Sequence, residues 1–153
     1  MKKSLSFAFL LSTSLYAATV AASSACPSVP VTTSPQINSL VKLKGGWPIS
    51  EAQCAFLHKH NLQLHVTADA KVLSGASVAW VALRLARKDR LVSGEFMSST
   101  HVDSGRADSS RAEELLYLSL ESTIAQMDYE GAARSLDGLL IASGQKAAGK
   151  AAK

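Results

Sequence analysis

Three consecutive stretches with strand-like patterns constrain the fold of this chain more than any other feature. From Leu62 to Ala70 apolar residues alternate with polar ones, which is the two-residue period of a half-buried strand. Ser74-Gly75 predicts a turn, and a second strand follows over 78–87. A third stretch completes a predicted hairpin over about 77–102.

The register of this hairpin follows from its apolar residues. If Lys88-Asp89 forms a two-residue turn, Leu85 lies opposite Val92. In the same register Val81 lies opposite Phe96, and the bulky apolar side chains share one face. A slip by one residue would mix polar and apolar residues on both faces.

Helical patterns flank the predicted strands. Ser50 and Gln53 have the spacing of a capping box and begin a helix that ends near His60, while Ser110 and Glu113 predict a second box. The second helix has apolar or small residues at three- and four-residue spacing. They are Ala112, Leu115, Leu116, Ser119, Leu120, Thr123, Ile124 and Met127. A third helix is predicted after Asp128.

These elements predict a small α+β domain over 45–143. Its expected architecture is a three-stranded antiparallel meander with helices packed on one face, in the order α-β-β-β-α-α. Residues 26–44 are rich in Pro, Ser and Thr and predict a linker. Residues 144–153 contain mainly Ala, Gly and Lys and predict a disordered tail.

The first 25 residues have the pattern of a secretory signal peptide. Lys2 and Lys3 precede a mostly apolar stretch, and small residues follow over 21–25. The chain is therefore expected to be exported, with a periplasmic location favoured over an outer-membrane lipoprotein or a secreted protein. No later stretch is long and apolar enough to predict a transmembrane helix.

Cys26 and Cys54, the only two cysteines, support two hypotheses. In an oxidising compartment they would form one disulfide, which would stabilise the fold by about 3 kcal/mol. Alternatively, Cys26 is the first mature residue and carries a lipid anchor. Ser23 stands where a lipobox needs an aliphatic residue, so the disulfide is the favoured hypothesis.

The charge distribution argues against a nucleic-acid partner. Five of the 16 Lys and Arg residues lie in the signal peptide or the last eight residues, which leaves 11 against 12 Asp and Glu over 26–145. A nucleic-acid-binding domain needs a basic face. We therefore predict no nucleic-acid partner.

A metal site is a weak hypothesis. Cys54 and His58 share a helix face, whereas His60 points elsewhere and His65 lies on the polar side of a strand. A transition-metal site needs three or four converging ligands, so no metal or other cofactor is predicted.

Catalysis is also weakly supported. His101 and Asp103, with Ser99 or Ser104, have the residue types of a catalytic triad but no nucleophile-elbow pattern. Three acidic residues, Glu113, Glu114 and Glu121, are expected on the polar face of a helix. We therefore predict a protein that is not an enzyme.

One face of the predicted sheet is a candidate binding surface. The expected register places Trp80 opposite Met97, with Arg84 nearby, and these residue types are enriched at interface cores. The favoured alternative covers this face with the N-terminal segment containing Ile37, Leu40, Val41 and Leu43.

The functional expectation is a small exported, non-catalytic protein that binds a protein partner in the bacterial cell envelope. The first alternative is an accessory lipoprotein of an envelope complex, anchored through Cys26. The second alternative is a small hydrolase or metal-binding protein.

Overall fold

A computed structural model describes residues 26, 31–32, 34–88 and 91–142. The predicted signal peptide and tail lie outside these residues. The elements are β1 (Val31–Thr32), α1 (Pro35–Leu43), α2 (Glu51–Lys59), β2 (Leu62–Leu73), β3 (Ala76–Arg87), β4 (Val92–Asp103), α3 (Ser109–Gln126) and α4 (Tyr129–Ala142).

The sheet is an antiparallel meander of β2, β3 and β4, to which β1 adds a short parallel strand beside β2. Helices α3 and α4 pack on one face of this meander. Helix α2 joins the same layer, since the Gln53 side chain donates to the Ile124 carbonyl of α3 over 3.0 Å. The α+β class, the meander and the one-sided helix layer are therefore confirmed.

The hydrophobic core lies between the sheet and the helix layer. Alternate strand residues such as Leu64, Val81 and Leu83 are fully buried against the helices. All eight residues of the predicted α3 stripe are buried too: Ala112, Leu115, Leu116, Ser119, Leu120, Thr123, Ile124 and Met127. Burial of this stripe fixes α3 across the sheet.

Capping side chains determine where the helices begin. The predicted box at α2 is confirmed, because Ser50 Oγ accepts from the Gln53 N–H over 3.3 Å and Gln53 Oε1 accepts from the Ser50 N–H over 2.9 Å. The box predicted for α3 is wrong. Asp108 caps that helix instead, accepting from the Arg111 N–H over 2.8 Å, and Ser110 lies inside the first turn.

The linker predicted over 26–44 is wrong over Pro35–Leu43, which form α1. Pro35 occupies the first helical turn, where its missing N–H costs no hydrogen bond. Ile37, Leu40 and Val41 are buried in the helix layer, whereas Leu43 is exposed. The expectation that this segment covers the other face of the sheet is therefore wrong, and the order becomes α-α-β-β-β-α-α.

The register predicted for the β3–β4 hairpin is also wrong. Ala86 lies opposite Val92 and Arg84 lies opposite Phe96. Three residues of β4 (93–95) thus stand where β3 has one, Leu85. The Leu85 N–H donates to Ser93 Oγ over 3.1 Å, so a side chain replaces a backbone acceptor at this β-bulge.

The connection between β3 and β4 is longer than a two-residue turn. The Arg87 N–H donates to the Leu91 carbonyl over 2.9 Å, which leaves 88–90 between them. Asp89 and Arg90 lie outside the described residues. The loop is one residue longer than predicted, and this odd change exchanges the faces of β4 from Val92 onward; the bulge adds two residues and leaves the faces of Phe96 and Met97 as the loop sets them.

No helix in the described ranges has both the length and the apolarity needed to cross a membrane.

Candidate functional site

The sheet face turned away from the helices is the candidate functional site, and we call it the open face. Its residues alternate along each strand with the residues of the core. They are His65, Thr67, Asp69 and Lys71 of β2, Val78, Trp80, Ala82 and Arg84 of β3, and Phe96, Ser98, Thr100 and Val102 of β4.

Large apolar side chains are exposed on the open face. Phe96 is 58% exposed, Val102 62% and Trp80 38%. Among the described residues, all four helices bury their apolar sides in the layer on the opposite face. Apolar side chains gathered on one exposed face are typical of an interaction surface.

A recess lies on the open face beside Trp80 and Arg84. The cross-strand rows are His65–Arg84–Phe96, Thr67–Ala82–Ser98 and Asp69–Trp80–Thr100. The middle row contains only short side chains, so the longer side chains of the two neighbouring rows extend further from the sheet than it does. The resulting cavity measures about 320 Å³ and is lined by His65, Thr67, Trp80, Ala82, Arg84 and Val92.

Arg84 supplies a positive charge beside this recess. Its guanidinium carbon lies 5.3 Å from the centre of the Phe96 ring, within the range of a cation–π contact. Asp69 is already paired with Lys71, with 2.7 Å between Oδ2 and Nζ. No carboxylate of the described residues pairs with Arg84.

The structure separates the three predicted binding residues. Trp80 and Arg84 lie on the open face, but Met97 lies opposite Leu83 and packs against the core. Thr100, not Met97, faces Trp80. Phe96 was not among the predicted binding residues, because the loop before β4 is one residue longer than predicted and this change turns Phe96 outward.

Cys26 and Cys54 form the predicted disulfide, with 5.6 Å between their Cα atoms. The bond ties the beginning of the described chain to α2. A lipid thioether would need the same Cys26 sulfur, so this disulfide and the proposed anchor exclude each other.

The histidines of the metal hypothesis have other surroundings. Cys54 is in the disulfide, and the His60 ring stacks on Phe56 with 4.4 Å between centroids. His65 lies on the open face, half-buried beside Arg84. Across the described residues, no three His, Cys, Asp or Glu side chains are grouped as metal ligands.

The residues of the catalytic hypothesis join β4 to α3. His101 Nδ1 lies 2.8 Å from Ser119 Oγ, and Ser99 Oγ donates to the Ser119 carbonyl over 2.9 Å. Asp103 accepts from Arg111 Nε over 2.6 Å rather than from His101. The hydrogen bond from Arg111, aided by the Gly105 N–H, holds the pKa of Asp103 below its usual value.

The remaining acidic candidates are not paired with one another. Glu114 accepts from Arg111 Nη1 over 2.9 Å, while Glu113 and Glu121 are exposed. Ser104 is exposed in the loop after β4. Among the described residues, Ser119 thus bonds Ser99 and His101, and Arg111 bonds Asp103 and Glu114.

No protein-family model, curated protein or solved structure matches this chain. What the open face does must therefore be inferred from its own residues. It combines two exposed aromatic rings, a recess and an arginine that no carboxylate of the described residues pairs with.

Proposed function

We propose that this chain is a small exported, non-catalytic protein that binds a protein partner through the open face. The observation that carries the proposal is the exposure of Phe96 and Trp80 on a sheet face that no described helix covers. Aromatic and Arg side chains dominate the binding energy of many interfaces. Both kinds lie here within two adjacent strands.

The charge of the open face suggests the chemistry of the partner. Binding would remove water from Arg84, and an unpaired buried cation is costly. A partner surface that places a carboxylate beside apolar side chains would satisfy Arg84 and cover Phe96. We therefore propose an acidic–apolar protein surface as the partner.

The disulfide supports an oxidising location for this function. Together with the predicted signal peptide, it favours the periplasm of a bacterial cell envelope. The proposed partner is consequently a protein of the same compartment.

Alanine variants of the aromatic residues test the binding surface. Phe96→Ala and Trp80→Ala should each lower recovery of the envelope partner by about tenfold or more, because each removes a large contact. Leu118→Ala is the matched control, since Leu118 is also exposed (45%) but lies on α3. Recovery is measured by quantitative co-purification from envelope fractions, with thermal unfolding recorded for every variant. Equal recovery with all three folded variants would reject the open face.

A charge series at Arg84 tests the chemistry of the partner. Arg84→Glu should reduce partner recovery more than Arg84→Ala, because it adds repulsion to the loss of attraction. Arg84→Lys should retain part of the binding, since it keeps the charge but loses the planar guanidinium. If the Ala and Glu variants bind equally, the partner does not present a carboxylate to Arg84.

A further inference from the structure

The recess on the open face has an apolar side and a polar side. Strand β3 places Trp80, Ala82 and Arg84 in line, at every second residue. At the centre, Ala82 lies opposite Thr67 of β2, and these two short side chains form the floor. Trp80 stands on one side of this floor and Arg84 on the other, and all four residues line the same cavity.

The polar side of the recess can hold a carboxylate. His65 is the cross-strand partner of Arg84 and also lines the cavity. Side chains directly opposite each other in an antiparallel pair begin about 5 Å apart. The guanidinium offers two parallel N–H donors to a carboxylate, and a neutral imidazole offers one more. No carboxylate of the described residues pairs with Arg84, so this side is open to one from a partner.

The size of the recess limits what can fill it. Its volume of about 320 Å³ is at the lower end of the range for ligand pockets, about 300 to 1,000 Å³. Because the apolar and polar sides face each other across Ala82, the occupant needs a large apolar group and a carboxylate on one short unit. A C-terminal residue carries both on a single Cα. An internal Asp or Glu has a carboxylate but no separate large apolar group.

We propose that the recess binds the C-terminal residue of the partner protein, and that this residue has a large apolar side chain. Its terminal carboxylate binds Arg84 and His65, while its side chain packs on Trp80. Capture of a chain terminus is a recurring mode of peptide recognition. This inference rests on the function proposed above, because it names the part of the partner that the open face binds.

Three synthetic hexapeptides test the source of the carboxylate. All end in the same apolar residues, with Phe last. One has a free C-terminal acid, the second a C-terminal amide, and the third an amide with Asp placed before the Phe. The free acid should bind at least about tenfold more tightly than either amide, because only it places a carboxylate and an apolar side chain on one residue. Isothermal titration calorimetry measures the three dissociation constants.

The peptides can overturn the proposal in three ways. A free acid that binds no more tightly than the plain amide would show that the recess does not recognise a chain terminus. A free acid that does not bind at about 1 mM would show the same. An Asp-containing amide that binds as tightly as the free acid would assign the carboxylate to a side chain instead.

Substitutions that fill the recess test its location. Ala82→Leu occupies the floor without changing the charge and should weaken binding of the free acid by about tenfold or more. Thr67→Leu fills the floor from β2 and provides a second such variant. Thr100→Leu is the matched control, because Thr100 is exposed on the open face but lies outside the residues that line the recess. Thermal unfolding identifies the folded variants. Equal affinity of folded filling and control variants would overturn the proposal.

The same substitutions separate this inference from the proposed function. In co-purification from envelope fractions, Ala82→Leu should lower recovery of the partner about as much as Trp80→Ala. If Trp80→Ala and Phe96→Ala lower recovery but Ala82→Leu does not, the open face binds its partner without placing a C-terminus in the recess. If none of these variants lowers recovery, the proposed function fails as well.

Discussion

Leu120→Ala is expected to lower the free energy of unfolding by about 3 kcal/mol. Leu120 is 2% exposed and lies in the α3 stripe that packs on the sheet. The substitution removes buried methyl groups and leaves a cavity that the strands cannot fill without moving. Equilibrium unfolding in urea, followed by circular dichroism, measures the change.

The control for this substitution is available on the same helix. Leu118 is 45% exposed, and Leu118→Ala makes the same chemical change two residues away. It should alter the free energy of unfolding by less than about 0.5 kcal/mol. Similar losses in both variants would mean that α3 does not present the described stripe to the sheet.

Removal of the disulfide is expected to cost about 3 kcal/mol of stability as well. The bond spans a sequence separation of 28 residues, and a closed loop of this size restricts the unfolded chain considerably. Cys26→Ala and Cys54→Ala should have similar effects, because each removes the same bond. Thermal and urea unfolding measure both variants.

Reduction of the wild-type chain provides the control for these substitutions. It breaks the bond and leaves the sequence unchanged, so it should give a similar loss to either alanine variant. Free thiols in the native oxidised protein, or a reduced chain as stable as the oxidised one, would contradict this account of the disulfide.

The periodicity of the apolar residues predicted the buried face of α3 correctly. The α3 stripe from Ala112 to Met127 is buried as expected, because three- and four-residue spacing identifies one helix face regardless of what packs on it. The box at Ser50 and Gln53 was also predictable, since both hydrogen bonds join residues three apart.

The hairpin register was less predictable because it depends on the length of the loop and on one side-chain contact. The Ser93 hydroxyl accepts from the Leu85 N–H and donates to the Glu95 carbonyl over 2.6 Å. The sequence alone does not distinguish this serine from an ordinary strand residue. A change by an odd number of positions exchanges the two faces of a strand, and the loop over 88–90, one residue longer than predicted, moved Met97 towards the core and Phe96 onto the open face.

Helix α1 was missed for a different reason. Prolines favour extended chain at most positions, but Pro35 stands where a helix accepts it. The apolar side of α1 packs in the helix layer, where Ile37 is 1% exposed. The sequence analysis expected this segment to cover the open face. Because α1 packs in the helix layer instead, Trp80 is more exposed than expected.

The most direct test of the open face is site-specific photo-cross-linking in the cells that produce the protein. A photoreactive amino acid replaces Phe96 in one variant and Leu118 in another. The account predicts an adduct with a different envelope protein at position 96 that is absent at position 118 and is lost when Arg84→Glu is added. Mass spectrometry separates it from an adduct between two copies of this chain. No such adduct at position 96, or the same adduct at both positions, would contradict the account.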